Sequence, residues 1–191
     1  GYDSGRKQFR VVGGAAVLPT GSLRLVQAGR VPDLPGYDAG AWWVQDAAAA
    51  LPARLFGDIT GLRVADLCAA PGGKTAHLLE LRPGARVTAL EIDAARSRRI
   101  ADNLARLRLQ AQVCVADAGQ PARWWDGEPY DAILLDAPCS ASGIVRRHPD
   151  VRWLRRDSDI AQLAQQQDRL LGSLWPLLAP GGRLLFSTCS V

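Results

Sequence analysis

The stretch LLDAPCSASG (Leu134–Gly143) sets Cys139 directly after a proline, just beyond an apolar run that reads as a buried strand. Further along, GGRLLFSTCSV (Gly181–Val191) repeats the arrangement, with an apolar run leading to Cys189. A thiolate is a strong nucleophile, and Asp136, just upstream of Cys139, adds a carboxylate that can hydrogen-bond or handle a proton. Two thiols and an acid at strand tips suit covalent catalysis, provided the fold brings those tips together.

The elements that must position them alternate regularly from Gly61 onward. LRVADL (Leu62–Leu67), RVTALE (Arg86–Glu91), AQVCVA (Ala111–Ala116), YDAILL (Tyr130–Leu135) and RLLFST (Arg183–Thr188) are short apolar or β-branched runs that predict strands. KTAHLLELR has helical spacing and stops before Pro83-Gly84. Asp93–Leu109 predicts a basic helix with apolar positions at Ile100, Leu104 and Leu107 and with Asp93 as its cap. A long helix is predicted over Asp159–Ala179, bent or ended by Pro176. Strands separated by helices, with no obvious hairpin, predict an α/β fold with a parallel sheet and helices on both faces. Ligands of such sheets bind beyond the carboxyl ends of the strands. Cys68 to Gly73, Glu91, Asp117, Asp136 to Cys139 and Cys189 all fall there.

The first 60 residues are rich in Gly and Pro, with one strand candidate at Leu23–Gln27 and a short helix in VQDAAAALPARLF. The chain of 191 residues suits one catalytic domain (41–191) after an N-terminal segment (1–40). It begins at Gly1 and has no Met, and is expected to be a piece of a longer protein. Apolar residues at 48% and charged ones at 22% fit a soluble globular protein, and no apolar run is long enough to span a bilayer. Four cysteines without Cys-x-x-Cys spacing and only two His argue against a zinc site, so no metal is expected. With no export signal, reduced thiols in a cytoplasm are expected.

DLCAAPGGKT (Asp66–Thr75) reads as strand, glycine turn and helix N-terminus, a place where backbone amides meet an anionic group. A P-loop would need Gly where Cys68 stands, and Gly-x-Gly-x-x-Gly is absent. S-adenosylmethionine fits better: its carboxylate suits the amides, its ribose hydroxyls suit Glu91 at the end of the second strand, and its adenine amine suits Asp117 at the end of the third. A methyl group on a sulfonium needs a nucleophile. Carbon 5 of cytosine becomes one only after a thiolate adds to carbon 6, and a base must later remove the carbon-5 proton.

DLCAAPGGKT, ALEID, DAILLDAPCSASGIVRRHPDVRWLRRD and GGRLLFSTCSV together strongly resemble the RNA (cytosine-5)-methyltransferases with a Pro-Cys and a Thr-Cys motif. Within that family the IVRRHPDVRWLRR tract is most similar to the bacterial RsmB/Sun (Fmu) group, which acts on small-subunit ribosomal RNA. The resemblance runs from about Pro35 to Val191. It implies a class I S-adenosylmethionine-dependent methyltransferase fold, Rossmann-like with a mostly parallel sheet, truncated after the fifth strand. It makes Cys189 the nucleophile on carbon 6, Cys139 the residue that assists product release, and Asp136 a hydrogen-bond partner of the cytosine near the cofactor. Cys68, Ala69, Ala70, Pro71, Gly72, Gly73, Lys74, Glu91, Asp117 and Asp136 would hold S-adenosylmethionine. Glu91 stands where many members have Asp. The reverse assignment, with Cys139 attacking as in DNA cytosine methyltransferases, is the rival. Composition does not separate the two, and the family pattern favours Cys189.

The tract Arg146, Arg147, His148, Arg152, Arg155 and Arg156, with Trp153 among them, sets cations beside an aromatic next to the Pro-Cys loop. It suits an RNA backbone and a splayed base, and Arg146, Arg147, His148 and Arg152 are the expected RNA contacts. Cys114, His77 and Cys68 read as packing residues without chemistry. The expected partner is RNA, with no membrane and a monomeric state. The rival from another class is a catalytically silent RNA-binding module that keeps the fold.

Overall fold

The computed structural model describes residues 2–3, 8–9, 15–25, 29–145, 149–150, 153 and 156–190. Its centre is a five-stranded sheet of β1 (Arg63–Leu67), β2 (Arg86–Glu91), β3 (Gln112–Val115), β4 (Tyr130–Asp136) and β5 (Leu178–Ser187). The order across it is β3-β2-β1-β4-β5 and every pairing is parallel. Helices described around it include α1 (Leu51–Leu55), α2 (Gly73–Leu81), α3 (Ala94–Leu107) and α4 (Asp157–Leu174).

The two central strands are buried on both faces, which is why they are nearly continuous apolar runs. Alternate residues serve opposite layers. Ala65, Leu67, Ile133 and Leu135 pack with Leu170 and Leu174 of α4. Val64, Ala132 and Leu134 pack with Leu78 of α2 and with Phe56 and Ile59. Beside them α3 buries Ile100, Leu104 and Leu107 against Ala76 and Ala89. That stripe recurs at helical spacing, and Asp93 caps the helix by accepting the Arg96 amide at 2.8 Å.

Several elements differ from the sequence expectation. The last helix ends at Leu174 rather than running to Ala179. Pro176, which has no N–H to continue the ladder, sits in a 3-10 turn over Trp175–Leu177. The last strand starts at Leu178 rather than Arg183. From Tyr130↔Leu178 to Ala132↔Arg183 the register advances two residues on β4 and five on β5, so Ala179–Gly182 form a bulge. No α-helix joins β3 to β4 among the described residues, only a 3-10 turn over Pro121–Arg123. The N-terminal region does contain antiparallel pairs, Tyr2–Asp3 with Gln8–Phe9 and Ala15–Val17 with Leu23–Leu25. In the second pair Gly21, at φ +73°, donates to the Leu18 carbonyl and closes the turn.

The segment ahead of α1 lies against α3. Arg106 donates to the carbonyls of Tyr37 (2.7 Å) and Trp42 (3.0 Å), and its guanidinium lies 3.9 Å from the centre of the Tyr37 ring.

Gly182 holds the bulge closed, since an added Cβ would lie 2.8 Å from the Ala179 carbonyl and 3.1 Å from that of Tyr130. Gly182→Ala should therefore destabilise the fold by about 1–3 kcal/mol. A lower urea midpoint at unchanged slope is the expected result, and an unchanged midpoint would show that the bulge tolerates a side chain.

Candidate active site

The strand order reverses between β1 and β4, where the chain turns to the other side of the sheet. A crevice forms at such a point beyond the carboxyl ends of the strands. The glycine turn after β1, Glu91 ending β2, Asp117 after β3, Asp136 ending β4 and the thiols after β4 and β5 all lie at this carboxyl edge of the sheet.

Gly72 turns the chain into α2 at φ +94°, a conformation that favours glycine, and a Cβ there would press on Ile100 of α3 at 3.2 Å. Glu91 is 1% exposed, and its carboxylate accepts the amides of Ala70 (3.3 Å) and Asp93 (3.2 Å). Arg96 stands 3.5 Å away. Asp117 accepts the Gly119 amide at 2.8 Å and contacts Gln120 (3.1 Å) and Arg169 of α4 (3.3 Å). Burial pushes the Asp117 carboxyl up, but these three partners outweigh it and hold it below the usual carboxylate range. Amides at a helix start and two carboxylates at successive strand ends suit a ligand with an anionic end, a diol and an amine. The donor set fits.

On the other side of the crevice Lys74, from the first turn of α2, lies 2.6 Å from Asp136. The other Asp136 oxygen accepts the Ser187 hydroxyl at 3.1 Å. Beneath them Asp66 is fully buried and accepts Thr75 Oγ1 at 2.5 Å, while its second oxygen has no partner among the described residues. Burial pushes its carboxyl up to about 7, with the Asp136 charge adding to the shift and Thr75 and Lys74 opposing it. Cys68 is pushed up to about 12 by burial and then by Glu91, Asp136 and Asp66, so it is a thiol. His77, on α2 against the Trp43 ring, is pushed down to about 4 by burial.

Cys139 Sγ and Cys189 Sγ lie 3.3 Å apart. Their loops are stitched together by Ala137 N to Ser187 O (2.8 Å), Gly143 N to Cys189 O (2.8 Å) and the Ser140 and Ser190 hydroxyls (2.8 Å). Gln167 of α4 donates to the Pro138 carbonyl at 2.7 Å and anchors the Pro-Cys loop from behind. Burial pushes the Cys139 thiol up, but Ser190, the Cys189 thiol and the Ala141 and Cys189 amides outweigh it, and it lies below the ordinary thiol value. Cys189 goes the other way, raised to about 11 by burial, the adjacent Cys139 sulfur and the Asp136 carboxylate. The two thiols lie within hydrogen-bonding distance, and either sulfur can donate to the other.

The structure brings together Cys139, Cys189, Asp136 and Lys74, and sets Glu91 against the glycine turn at Ala70. Arg146, Arg147, His148, Arg152 and Arg155 lie outside the described residues. Of that tract Trp153, 83% exposed, and Arg156, whose amide meets Asp159 at the start of α4 (3.0 Å), are described. Sequence reasoning missed Gln167 and Arg169, which carry no motif and sit in a polar helical run. It also missed Asp66, although an acid inside the apolar run VADLC was a usable signal. Among the described residues no cluster of metal-ligating side chains occurs, and no helix is long and apolar enough to cross a membrane.

A five-stranded parallel sheet in this order, with a glycine turn after β1 and acids ending β2 and β4, defines a Rossmann-like methyltransferase fold. The solved structure of PH0851 superposes with a TM-score of 0.84 at 35% identity, over 88% of this chain and 39% of that one. NSun6 from Pyrococcus horikoshii, solved with SFG, superposes at 0.77 with 27% identity, over 86% of this chain and 42% of that one. The chain belongs to the family described as 16S rRNA methyltransferase RsmB/F, which matches residues 59–191. It is 51% identical over 170 residues to ribosomal RNA small subunit methyltransferase B of Erwinia tasmaniensis, covering 89% of this chain. It spans 40% of that relative's length.

The buried acid yields a pH test. Between the ordinary carboxylate value and about 7 the folded protein holds an Asp66 proton that the unfolded chain has released, so stability falls as pH rises through that window. Asp66→Asn should remove this loss. Urea midpoints measured from about pH 5 to 8 should fall less in the variant than in the parent. Parallel profiles would show that Asp66 is ionised in the fold.

Proposed function

We propose that this chain is the catalytic core of a methyltransferase that uses S-adenosylmethionine to methylate carbon 5 of a cytosine in small-subunit ribosomal RNA. The observation that carries the reading is the contact between Cys139 and Cys189 beside the Lys74–Asp136 pair, at the mouth of a crevice whose donors suit that cofactor. When bound, S-adenosylmethionine supplies an electrophilic methyl group on a sulfonium. The turn from Cys68 through Ala69, Ala70, Pro71, Gly72 and Gly73 to Lys74 would hold its amino-acid end, Glu91 its ribose and Asp117 its adenine amine.

Cys189, the more exposed thiol, adds to carbon 6 of the flipped-out base and makes carbon 5 nucleophilic. Asp136, kept in place by Lys74 and Ser187, hydrogen-bonds the ring. Cys139 then assists release, when the carbon-5 proton leaves and the bond from carbon 6 to Cys189 breaks. Arg146, Arg147, His148 and Arg152 would contact the RNA backbone. The same reading makes the protein a cytoplasmic one. A silent RNA-binding scaffold would need neither two touching thiols nor a buried Glu91 carboxylate against the glycine turn.

Two measurements test this on a full-length protein containing the chain. Glu91→Gln keeps the shape of the side chain but loses its charge, and should weaken S-adenosylmethionine binding by about 1–3 kcal/mol in calorimetry. Unchanged affinity would take Glu91 out of the site. Incubated with RNA and cofactor, Cys189→Ala should form no covalent RNA adduct and transfer no methyl group. Cys139→Ala should accumulate an adduct that survives denaturing electrophoresis. The opposite pattern would exchange the two roles, and an active wild type with no adduct from either variant would remove covalent catalysis.

A further inference from the structure

Cys139 lies on a short span between two ties to β5 and the residues that follow it. On one side the Ala137 amide donates to the Ser187 carbonyl at 2.8 Å. On the other the Ser140 and Ser190 hydroxyls are 2.8 Å apart. Pro138 and Cys139 are the two residues between those ties, and Pro138 has no N–H to donate. A further bond falls inside the span, where the Pro138 carbonyl accepts from Gln167 Nε2 of α4 at 2.7 Å. The peptide joining Pro138 to Cys139 is planar, so fixing its carbonyl fixes the direction in which the Cys139 Cα leaves it.

The residue that does this stands on a firm base. Gln167 precedes Leu170 and Leu174, which are 2% and 0% exposed and pack with Ile133 and Leu135 of the sheet. Spacings of three and then four put all three on one face of α4. Gln162, Gln165 and Gln166 of the same helix are exposed, whereas Gln167 is half-buried on the inward stripe. Its amide is therefore aimed at the loop by the packing of the helix, and that loop carries a reactive thiol.

The consequence lies in the distance between the sulfurs. Cys139 Sγ is 3.3 Å from Cys189 Sγ. A displacement of about 1 Å would part them, and misplacements of that size cost about a hundredfold in a step governed by geometry.

We propose that Gln167 is a positioning residue: through the Pro138 carbonyl it holds the Cys139 sulfur against Cys189 for the release step. The inference rests on the cytosine chemistry proposed above and adds to it the residue that keeps Cys139 in reach of the adduct. In that step a water molecule takes the carbon-5 proton and the carbon 5–carbon 6 double bond re-forms. The electron pair of the carbon–sulfur bond returns to Cys189. Attack and methyl transfer come earlier and use Cys189, which the register of β5 on β4 places. Loss of the Gln167 bond therefore slows release far more than it slows the first methyl transfer. The fold survives that loss, since both flanking ties remain.

The test uses the full-length protein with Gln167→Met, which keeps the length of the side chain and removes its donor. Gln167→Glu, of the same shape but without the N–H, is a second variant, and Gln166→Met on the exposed side of the helix is the control. Phenylarsine oxide, a trivalent arsenical that bridges two neighbouring thiols, reads the placement of the sulfurs with no RNA present. Its affinity should fall about tenfold in both Gln167 variants, hold in Gln166→Met and be lost in Cys189→Ala. With RNA and cofactor, both Gln167 variants should keep the wild-type rate of the first methyl transfer. Later turnovers should slow by about tenfold to a hundredfold, with a covalent adduct accumulating on denaturing electrophoresis. A purely structural role would instead lower the urea midpoint and slow first transfer and turnover together. That result, or an arsenical affinity unchanged in both variants, would overturn the positioning role. Weakened arsenical binding in a protein whose wild type methylates no cytosine would keep Gln167 as the holder of the thiol pair and remove the cytosine reading instead.

Discussion

The register of β4 against β5 is the constraint on which the site depends. Asp136 and Ser187 are partners at the ends of two parallel strands, so the chain leaves both in the same direction and from the same height. Cys139 follows the first by three residues and Cys189 the second by two, and their sulfurs meet. A slip of one residue would turn every side chain of β5 to the opposite face and separate the thiols. The bulge at Ala179–Gly182 sets that register. It takes up three extra residues near the start of the strand and leaves the end in step.

Around the thiols the charge is arranged so that each acid has its own means of compensation. Asp136 uses the Lys74 ammonium and the Ser187 hydroxyl. Glu91 uses two backbone amides and Arg96. Among the described residues Asp66 has Thr75 as its only hydrogen-bond partner, and burial raises its carboxyl to about 7 instead. An unpaired buried charge costs more than protonation, so the least solvated acid is the one that gives up its charge. Lys74 reaches Asp136 from the first turn of α2, so the cofactor turn and the end of β4 are held in one frame. Helix α4 braces the same frame from behind, with Gln167 on the Pro138 carbonyl and Arg169 on Asp117.

The strand order explains why residues so far apart in the chain serve one crevice. Strands β1 to β3 step outward in one direction, and β4 and β5 continue on the other side of β1. The first group carries the glycine turn, Glu91 and Asp117, and the second carries Asp136 and both cysteines. The residues proposed to bind the cofactor and the two thiols proposed for covalent chemistry therefore come from opposite halves of the sheet, on either side of the switch point.

Much of this was determined by local sequence. The apolar runs of β1, β2 and β4, the Asp93 cap and the Ile100–Leu104–Leu107 stripe follow from burial and helical spacing, and the motifs themselves named Cys139, Cys189, Asp136 and Glu91. What failed were features with a tertiary cause. The bulge that starts β5 at Leu178 needs Tyr130 as a partner, and Pro-Gly-Gly on its own reads as a loop. The hairpin at Ala15–Val17 depends on a turn among residues of weak strand character. The contact between the two thiols was beyond sequence altogether, because it depends on how β4 and β5 pair. Gln167 and Arg169 were likewise invisible, as nothing in a polar helical run says which loop each side chain will meet. Periodicity and motif record what a residue needs from its neighbours in the chain; distances across the sheet exist only once the strands have paired.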